Sequence, residues 1–242
     1  MIVPKKIIAL CSCFLLSLFF FQGVAIAEIP FITTPELKQK IDAGEKLVLA
    51  NALSPIEFSE IAIKGSVNIP ASRVEGNPNL PSDKDTLIIF YCLGPKCGKS
   101  RIAAEKAVKA GYTNIMVYNE GLPAWAKKGL PLDHEVTYPK IDIDRIPPKQ
   151  IYAERDSLII LDIRGKKHMA LGKIAGTVDI LLDDLDQKYT QLPKDKKIVV
   201  ADHAGKQLNI TAKYLHSKGY TNIAIMDGGV SAWLRDGLPV TK

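Results

Sequence analysis

Two thiols five positions apart frame the segment of this chain whose residue types best suit nucleophilic chemistry: Cys92-Leu93-Gly94-Pro95-Lys96-Cys97-Gly98-Lys99-Ser100-Arg101. Cys92 ends an apolar run, Leu87 to Tyr91, and a helical stretch is predicted from Ser100 to Ala110. A cysteine reacts as its thiolate, so the question is what would stabilise negative charge on sulfur. A helix that opens just after the loop turns its free N–H groups and its positive dipole end toward the thiol. Gly94 and Gly98 permit curvature that points further amides inward. Lys96, Lys99 and Arg101 add positive charge. The competing reading is a buried, inert cysteine, and a glycine-rich basic loop argues against it. Cys97 is read in two ways: as a resolving or disulfide partner for Cys92, or as a loop residue with no catalytic part.

The elements that must hold this loop come in two copies. Gly111 to Leu132 and Gly219 to Val240 match at 11 of 22 positions, offset by 108 residues. That offset suits a duplicated domain rather than a solenoid. Upstream, Leu47 to Asn51 and Leu158 to Asp162 read as buried strands, as do Leu87 to Tyr91 and Lys197 to Ala201. Ile115 to Tyr118 and Ile223 to Met226 follow as short strands. Continuous apolar runs alternating with helical stretches predict an α/β fold, each copy a parallel sheet flanked by helices. The first domain is assigned to residues 28–135 and the second to 136–242. Between them, Asp133 to Pro148 reads as a proline-interrupted join without regular structure. Trp125 and Trp233 recur at one place in both copies and read as core anchors, with Met116 and Met226 as further core candidates.

In the second copy Asp202 stands where Cys92 stands in the first. A carboxylate cannot carry sulfur, so this domain is read as catalytically silent. Asp183, Asp184 and Asp186 read as a solvated acidic turn rather than a cation site. His134, His168 and His216 read as isolated, and no metal site is expected.

The N-terminus is read as a signal peptide over residues 1–27. Lys5 and Lys6 precede an apolar run, and Ala25-Ile26-Ala27 gives the small-x-small cleavage pattern. The chain is thus expected to be exported, in a bacterial setting to the periplasm. The alternative is an anchor over residues 7–27, the only route to a membrane that the sequence offers. Cleavage leaves Cys92 and Cys97, too few for a stapled scaffold. The net charge of +6 is dispersed, with no basic run among aromatics, and nucleic-acid binding has little support.

Ordered twice along the chain, these pieces resemble the rhodanese superfamily. Tyr91-Cys92, Lys99-Ser100, Gly111-Tyr112, Gly121, Ala124-Trp125 and Gly129-Leu130-Pro131 carry the resemblance in the first copy. In the second copy, Asp162-Ile163-Arg164 resembles the family's Asp-x-Arg, and Gly172-Lys173-Ile174-Ala175-Gly176 its Gly-His-Ile-Pro-Gly. The resemblance implies two tandem rhodanese-like domains and sulfur transfer. Cys92 would take sulfur from a small sulfur-containing anion such as thiosulfate and hold it as a persulfide within the loop from Leu93 to Arg101. A thiol, cyanide or a protein acceptor would remove it, with no cofactor needed. The chain departs from the family in four respects. Cys92 lies 19 residues before Gly111, but Asp202 only 17 before Gly219, which implies a wider first loop. Asn51 and Leu53 replace Asp-x-Arg in the first copy, Cys97 is additional, and the reactive cysteine falls in the first domain rather than the second. Two readings compete with sulfur transfer: thiol–disulfide or oxyanion reduction by Cys92 with Cys97, and a non-catalytic sulfur carrier or binding module.

Overall fold

The computed structural model describes residues 28–241. The proposed leader or anchor, residues 1–27, lies outside them. The first half runs α1 (Thr34–Asp42), β1 (Leu47–Asn51), α2 (Pro55–Glu60), β2 (Ala62–Ile63), β3 (Val67–Asn68), β4 (Leu87–Tyr91), α3 (Lys99–Lys109), β5 (Ile115–Tyr118), α4 (Gly121–Lys127) and β6 (Leu132–Asp133). The second half runs β7 (Asp144–Ile146), α5 (Pro148–Glu154), β8 (Leu158–Asp162), α6 (Lys166–Met169), β9 (Val178–Asp179), α7 (Leu185–Lys188), β10 (Lys197–Ala201), α8 (Leu208–Ser217), β11 (Ile223–Met226) and α9 (Gly229–Arg235).

Each half builds its own parallel sheet. The orders are β3-β1-β4-β5 and β7-β11-β10-β8-β9. A parallel bridge from Phe31 to Val117 extends the first sheet where β7 extends the second. Alternate residues of each central strand serve opposite faces. Ile88 and Phe90 pack with Ala103, Ala104 and Ala107 of α3, while Ile89 and Tyr91 pack with Tyr118 and Trp125. In the second sheet Ile198 and Val200 meet Leu208, Ala212 and Leu215, and Val199 and Ala201 meet Trp233. Both faces of both sheets are therefore buried, which is what the unbroken apolar runs require. Trp125 Nε1 donates to the Pro131 carbonyl at 3.0 Å and Trp233 Nε1 to that of Pro239 at 3.1 Å, so each tryptophan is a core anchor that closes its own copy. Met226 is fully buried in the core, while Met116 is only partly covered.

The join differs from its sequence reading. Asp144–Ile146 forms an edge strand beside β11, and Pro148 opens α5 rather than breaking structure. Proline has no N–H to lose at the first turn of a helix, so it is well placed there. The halves also pack together. Ile56 of α2 sits in the second half's core, and the Tyr138 hydroxyl donates to the Ile56 carbonyl at 3.3 Å. Among the described residues no helix is long and apolar enough to cross a membrane.

Candidate active site

β4 delivers Cys92 to the sheet's carboxyl end, and α3 begins at Lys99 after a left-handed Gly98. Side chains at this end of a parallel sheet face the crevice where ligands bind. Cys92 is 1% exposed. The Cys92 carbonyl accepts the Leu122 N–H at 2.8 Å. Gly121, at φ +72°, lies so close that a Cβ there would stand 2.5 Å from the Cys92 oxygen and 2.4 Å from the Gly94 nitrogen. Only glycine fits, which gives the Gly121 of the repeat a physical reason. The loop after β5 thus clamps the cysteine loop from behind. On the outer side Leu93, Pro95, Lys96 and Arg101 are exposed, and Cys97 is half-buried.

The sulfur of Cys92 lies 3.3 Å from the Ser100 hydroxyl. Both cysteines are free thiols. The hydrogen bond from the Cys97 thiol, reinforced by the Ser100 hydroxyl and backbone N–H and opposed by burial, pulls the Cys92 thiol down to about 6. The same interaction and burial push the Cys97 thiol up. The arrangement is one thiolate and one thiol, with Cys97 as donor. At neutral pH Cys92 is therefore the nucleophile of the pair.

This geometry corrects the electrostatic reading of the basic residues. Lys99 does not point its charge into the loop's concavity. Its ammonium lies 3.0 Å from Asp183 and 3.7 Å from Glu57. Burial alone would lower its pKa; the two carboxylates reverse that and hold it above the usual lysine value. Arg101 lies over the Phe31 ring at 5.2 Å. Hydrogen bonds from Cys97 and Ser100, rather than cationic side chains, stabilise the thiolate. The acidic stretch is not a solvated turn either. Asp183 is buried and accepts from Ser72 Oγ at 2.7 Å as well as from Lys99, while Asp184 and Asp186 engage Arg73. Among the described residues no three His, Cys, Asp or Glu side chains converge as a cation site.

In the second domain Asp202 occupies the matching strand end and is 3% exposed. Its carboxylate accepts the backbone N–H groups of Gly205 and, at 2.8 Å, Gln207. His168 is not isolated: its ring stacks on His203 at 4.5 Å, and burial, with His203 and Arg164 nearby, lowers its pKa. His134 is not isolated either: its ring nitrogen bonds to the Glu60 carbonyl, 74 residues away in the chain, at 2.7 Å. The two residues by which the first segment is longer divide between loop and helix. Six residues separate Cys92 from α3 and five separate Asp202 from α8, while α3 has 11 residues and α8 has 10.

Glu57, Ser72, Asp183 and Gln207 were not expected at the site. Ser54-x-x-Glu57 is a legible capping box, and Ser54 and Glu57 do cap α2 reciprocally. Its second engagement, with Lys99, depends on how the domains pack and leaves no local signature.

A duplicated α/β fold that presents a thiolate in a glycine-shaped loop between strand and helix defines a class of cysteine-nucleophile domains. The chain belongs to the rhodanese-like domain family, whose model matches residues 33–128 and 148–236. It is 27% identical over 99 residues to a sulfurtransferase of Allochromatium vinosum, covering 41% of this chain and 92% of that one. It is 30% identical over 93 residues to the thiosulfate sulfurtransferase GlpE of Stutzerimonas stutzeri, covering 38% of this chain and 85% of that one. The crystal structure of a thiosulfate sulfurtransferase from Pseudomonas aeruginosa aligns over 88% of this chain and 43% of its own, with 21% identity and a TM-score of 0.41.

Proposed function

We propose that this chain is an exported sulfurtransferase that uses Cys92 to take sulfane sulfur from a small anion such as thiosulfate. The observation that carries the reading is the Cys92 sulfur at the strand-to-helix turn, 3.3 Å from the Ser100 hydroxyl, where Cys97 and Ser100 lower the thiol's pKa. The relatives named as sulfurtransferases support the reaction class. The Cys92 thiolate attacks the outer sulfur of thiosulfate, the S–S bond of the donor breaks, and sulfite leaves with the electron pair. The product is a Cys92 persulfide. A thiolate or cyanide then attacks the persulfide's outer sulfur and restores the Cys92 thiolate, so no net oxidant or reductant is required. The leader read over residues 1–27 supports export.

Two free thiols on one loop, whose titrations influence each other, favour a second reading. Cys97 attacks the inner sulfur of the persulfide, a Cys92–Cys97 disulfide forms, and hydrogen sulfide leaves. An external dithiol must then reduce the loop before the next cycle.

Intact mass of the non-reduced mature protein, before and after thiosulfate, separates these. A gain of about 32 Da that vanishes in Cys92→Ser is expected for a stable persulfide. Sulfide release with a final mass about 2 Da below the dithiol form establishes the second reading. An unchanged mass and no sulfide refute sulfur transfer from thiosulfate.

A further inference from the structure

The silent domain reaches into the active loop. Lys99, the first residue of α3, follows Cys97 by two positions and precedes by one Ser100, whose hydroxyl lies 3.3 Å from the Cys92 sulfur. Its ammonium crosses to the second domain and meets Asp183 at 3.0 Å. Asp183 is itself fixed, because its other oxygen accepts from the Ser72 hydroxyl at 2.7 Å. Glu57, the capping residue of α2, lies 3.7 Å from Lys99 on one oxygen. On its other oxygen it accepts the Gln207 side-chain amide at 3.1 Å. Gln207 in turn gives its backbone N–H to Asp202. The loop that carries the nucleophile and the loop that has lost it are thus joined by one continuous polar chain: Lys99, Glu57, Gln207, Asp202, with Asp183 beside it.

We infer that Asp183 is a positioning residue for Cys92 chemistry, acting from the second domain through Lys99 to hold the Cys97 and Ser100 donors against the nucleophilic sulfur. Buried charges are strongly held only when paired and hydrogen-bonded, and every member here is. A lysine drawn away from the loop's concavity also explains why a basic-looking loop leaves its thiolate to hydrogen bonds. The inference deepens the sulfur-transfer reading and rests on it for its biological meaning, although its test does not depend on it.

Two effects of Asp183 on the thiolate have opposite signs. A negative charge acting through space destabilises the thiolate, so removing it would make Cys92 more acidic. A positioning group stabilises the thiolate indirectly, so removing it loosens the donors and makes Cys92 less acidic. Of the other groups near the sulfur, Cys97 lies on its own loop and Ser100 on α3. Glu120, from the loop packed behind, is turned away to Thr34. Lys96 and Arg101 are exposed.

The experiment is the pH profile of Cys92 alkylation by iodoacetamide, in the full mature chain with Cys97 present, with the modified site identified by peptide mass. Asp183→Ala is expected to raise the midpoint by about one unit and to slow alkylation at pH 6 about fivefold. Asp183→Asn keeps an oxygen for Lys99 and should restore most of the loss. Adding Asp183→Ala to Lys99→Met should do nothing further, because the path runs through Lys99. Ser72→Ala leaves the ion pair and should shift the midpoint the same way by less, which keeps the test available if Asp183→Ala does not fold. A midpoint that falls in both Asp183 variants overturns positioning in favour of a through-space charge. An unmoved midpoint with a lower melting temperature reduces the cluster to interface adhesion and also overturns it. Wild-type protein that alkylates as expected yet gains no sulfur from thiosulfate would defeat the functional reading alone.

Discussion

The two strand-end loops share a backbone and differ in what fills it. Leu122 N–H binds the Cys92 carbonyl at 2.8 Å, and Val230 N–H binds the Asp202 carbonyl at the same distance. Gly121 and Gly229 both adopt left-handed conformations, φ +72° and +62°, close against the loop in front. Into this common frame the first domain puts a sulfur beside the Ser100 hydroxyl, its pKa lowered by Cys97 and Ser100, and the second puts a carboxylate that consumes two loop amides. The second loop is in effect an anion site already occupied by its own side chain. The same loop frame stands with or without a cysteine, provided an anion is built in.

A second exchange accompanies the first. Asp162 and Arg164 form a fully buried pair at 2.7 Å, and the guanidinium also donates to the His168 and Gly172 carbonyls. In the first domain Asn51 Oδ1 still accepts the N–H of Leu53 at 2.8 Å, as Asp162 does from Arg164, but the guanidinium is gone. There the Tyr91 hydroxyl ties the following segment, accepting from Ile63 N–H at 2.9 Å and sharing a hydrogen bond with Ser66. The matching residue before Asp202 is Ala201, which has no hydroxyl. The Asp-x-Arg motif is thus a strap rather than a reacting group, and the first domain has replaced it.

The largest effect expected from this comparison is on stability. Arg164→Met should strand a buried carboxylate and cost about 3–5 kcal/mol, read by denaturant unfolding. Leu53→Met at the equivalent place, nearly volume-conserving, should cost less than about 1.5 kcal/mol. Equal losses would mean that the strap is not what distinguishes the two domains. Asp202→Ala comes next. It strips two backbone N–H groups of a charged acceptor, each such bond contributing about 1.5–3 kcal/mol. It also empties the anion cradle. Added sulfate should therefore recover part of the lost melting temperature in Asp202→Ala and leave wild type unmoved. Absence of that recovery would show that the second loop does not retain an anion cradle.

Much of this was legible in the residues. The six apolar runs read as strands, Leu47 to Asn51 through Ile223 to Met226, are strands with those bounds, because buried parallel strands write themselves as unbroken hydrophobic stretches. The loop with Cys92 was legible because a strand, glycines and a helix start are local features. What stayed hidden was pairing between distant residues. Nothing in Asp183-Asp184-Leu185-Asp186 announces that one carboxylate is destined for Lys99 and its neighbours for Arg73. Lys99 read as a cation facing the loop because sequence gives charge but not direction. Asp144–Ile146 has no signature in the residues, because a three-residue edge strand between prolines is too short to show a periodicity.

The smallest and finest effect concerns Cys97, which separates the two loops as surely as Cys92 does, since the second loop has no counterpart. The Cys97 thiol is the largest stabiliser of the Cys92 thiolate, which titrates at about 6. A lowered thiol pKa keeps the reactive form populated to lower pH. Alkylation of Cys92 should therefore be nearly flat above that midpoint and fall about tenfold per pH unit well below it. Cys97→Ala removes the donor, and the midpoint should climb toward the ordinary thiol range, leaving the rate at pH 9 little changed and the rate at pH 6 lowered. Cys97→Ser retains a donor and should fall between. If instead both variants leave the profile unmoved, Ser100 and the α3 amides suffice to hold the thiolate. Under the proposed sulfur transfer, Cys97 would then act after a Cys92 persulfide has formed, a step for which sulfide release by wild type and its loss in Cys97→Ser are the direct readout.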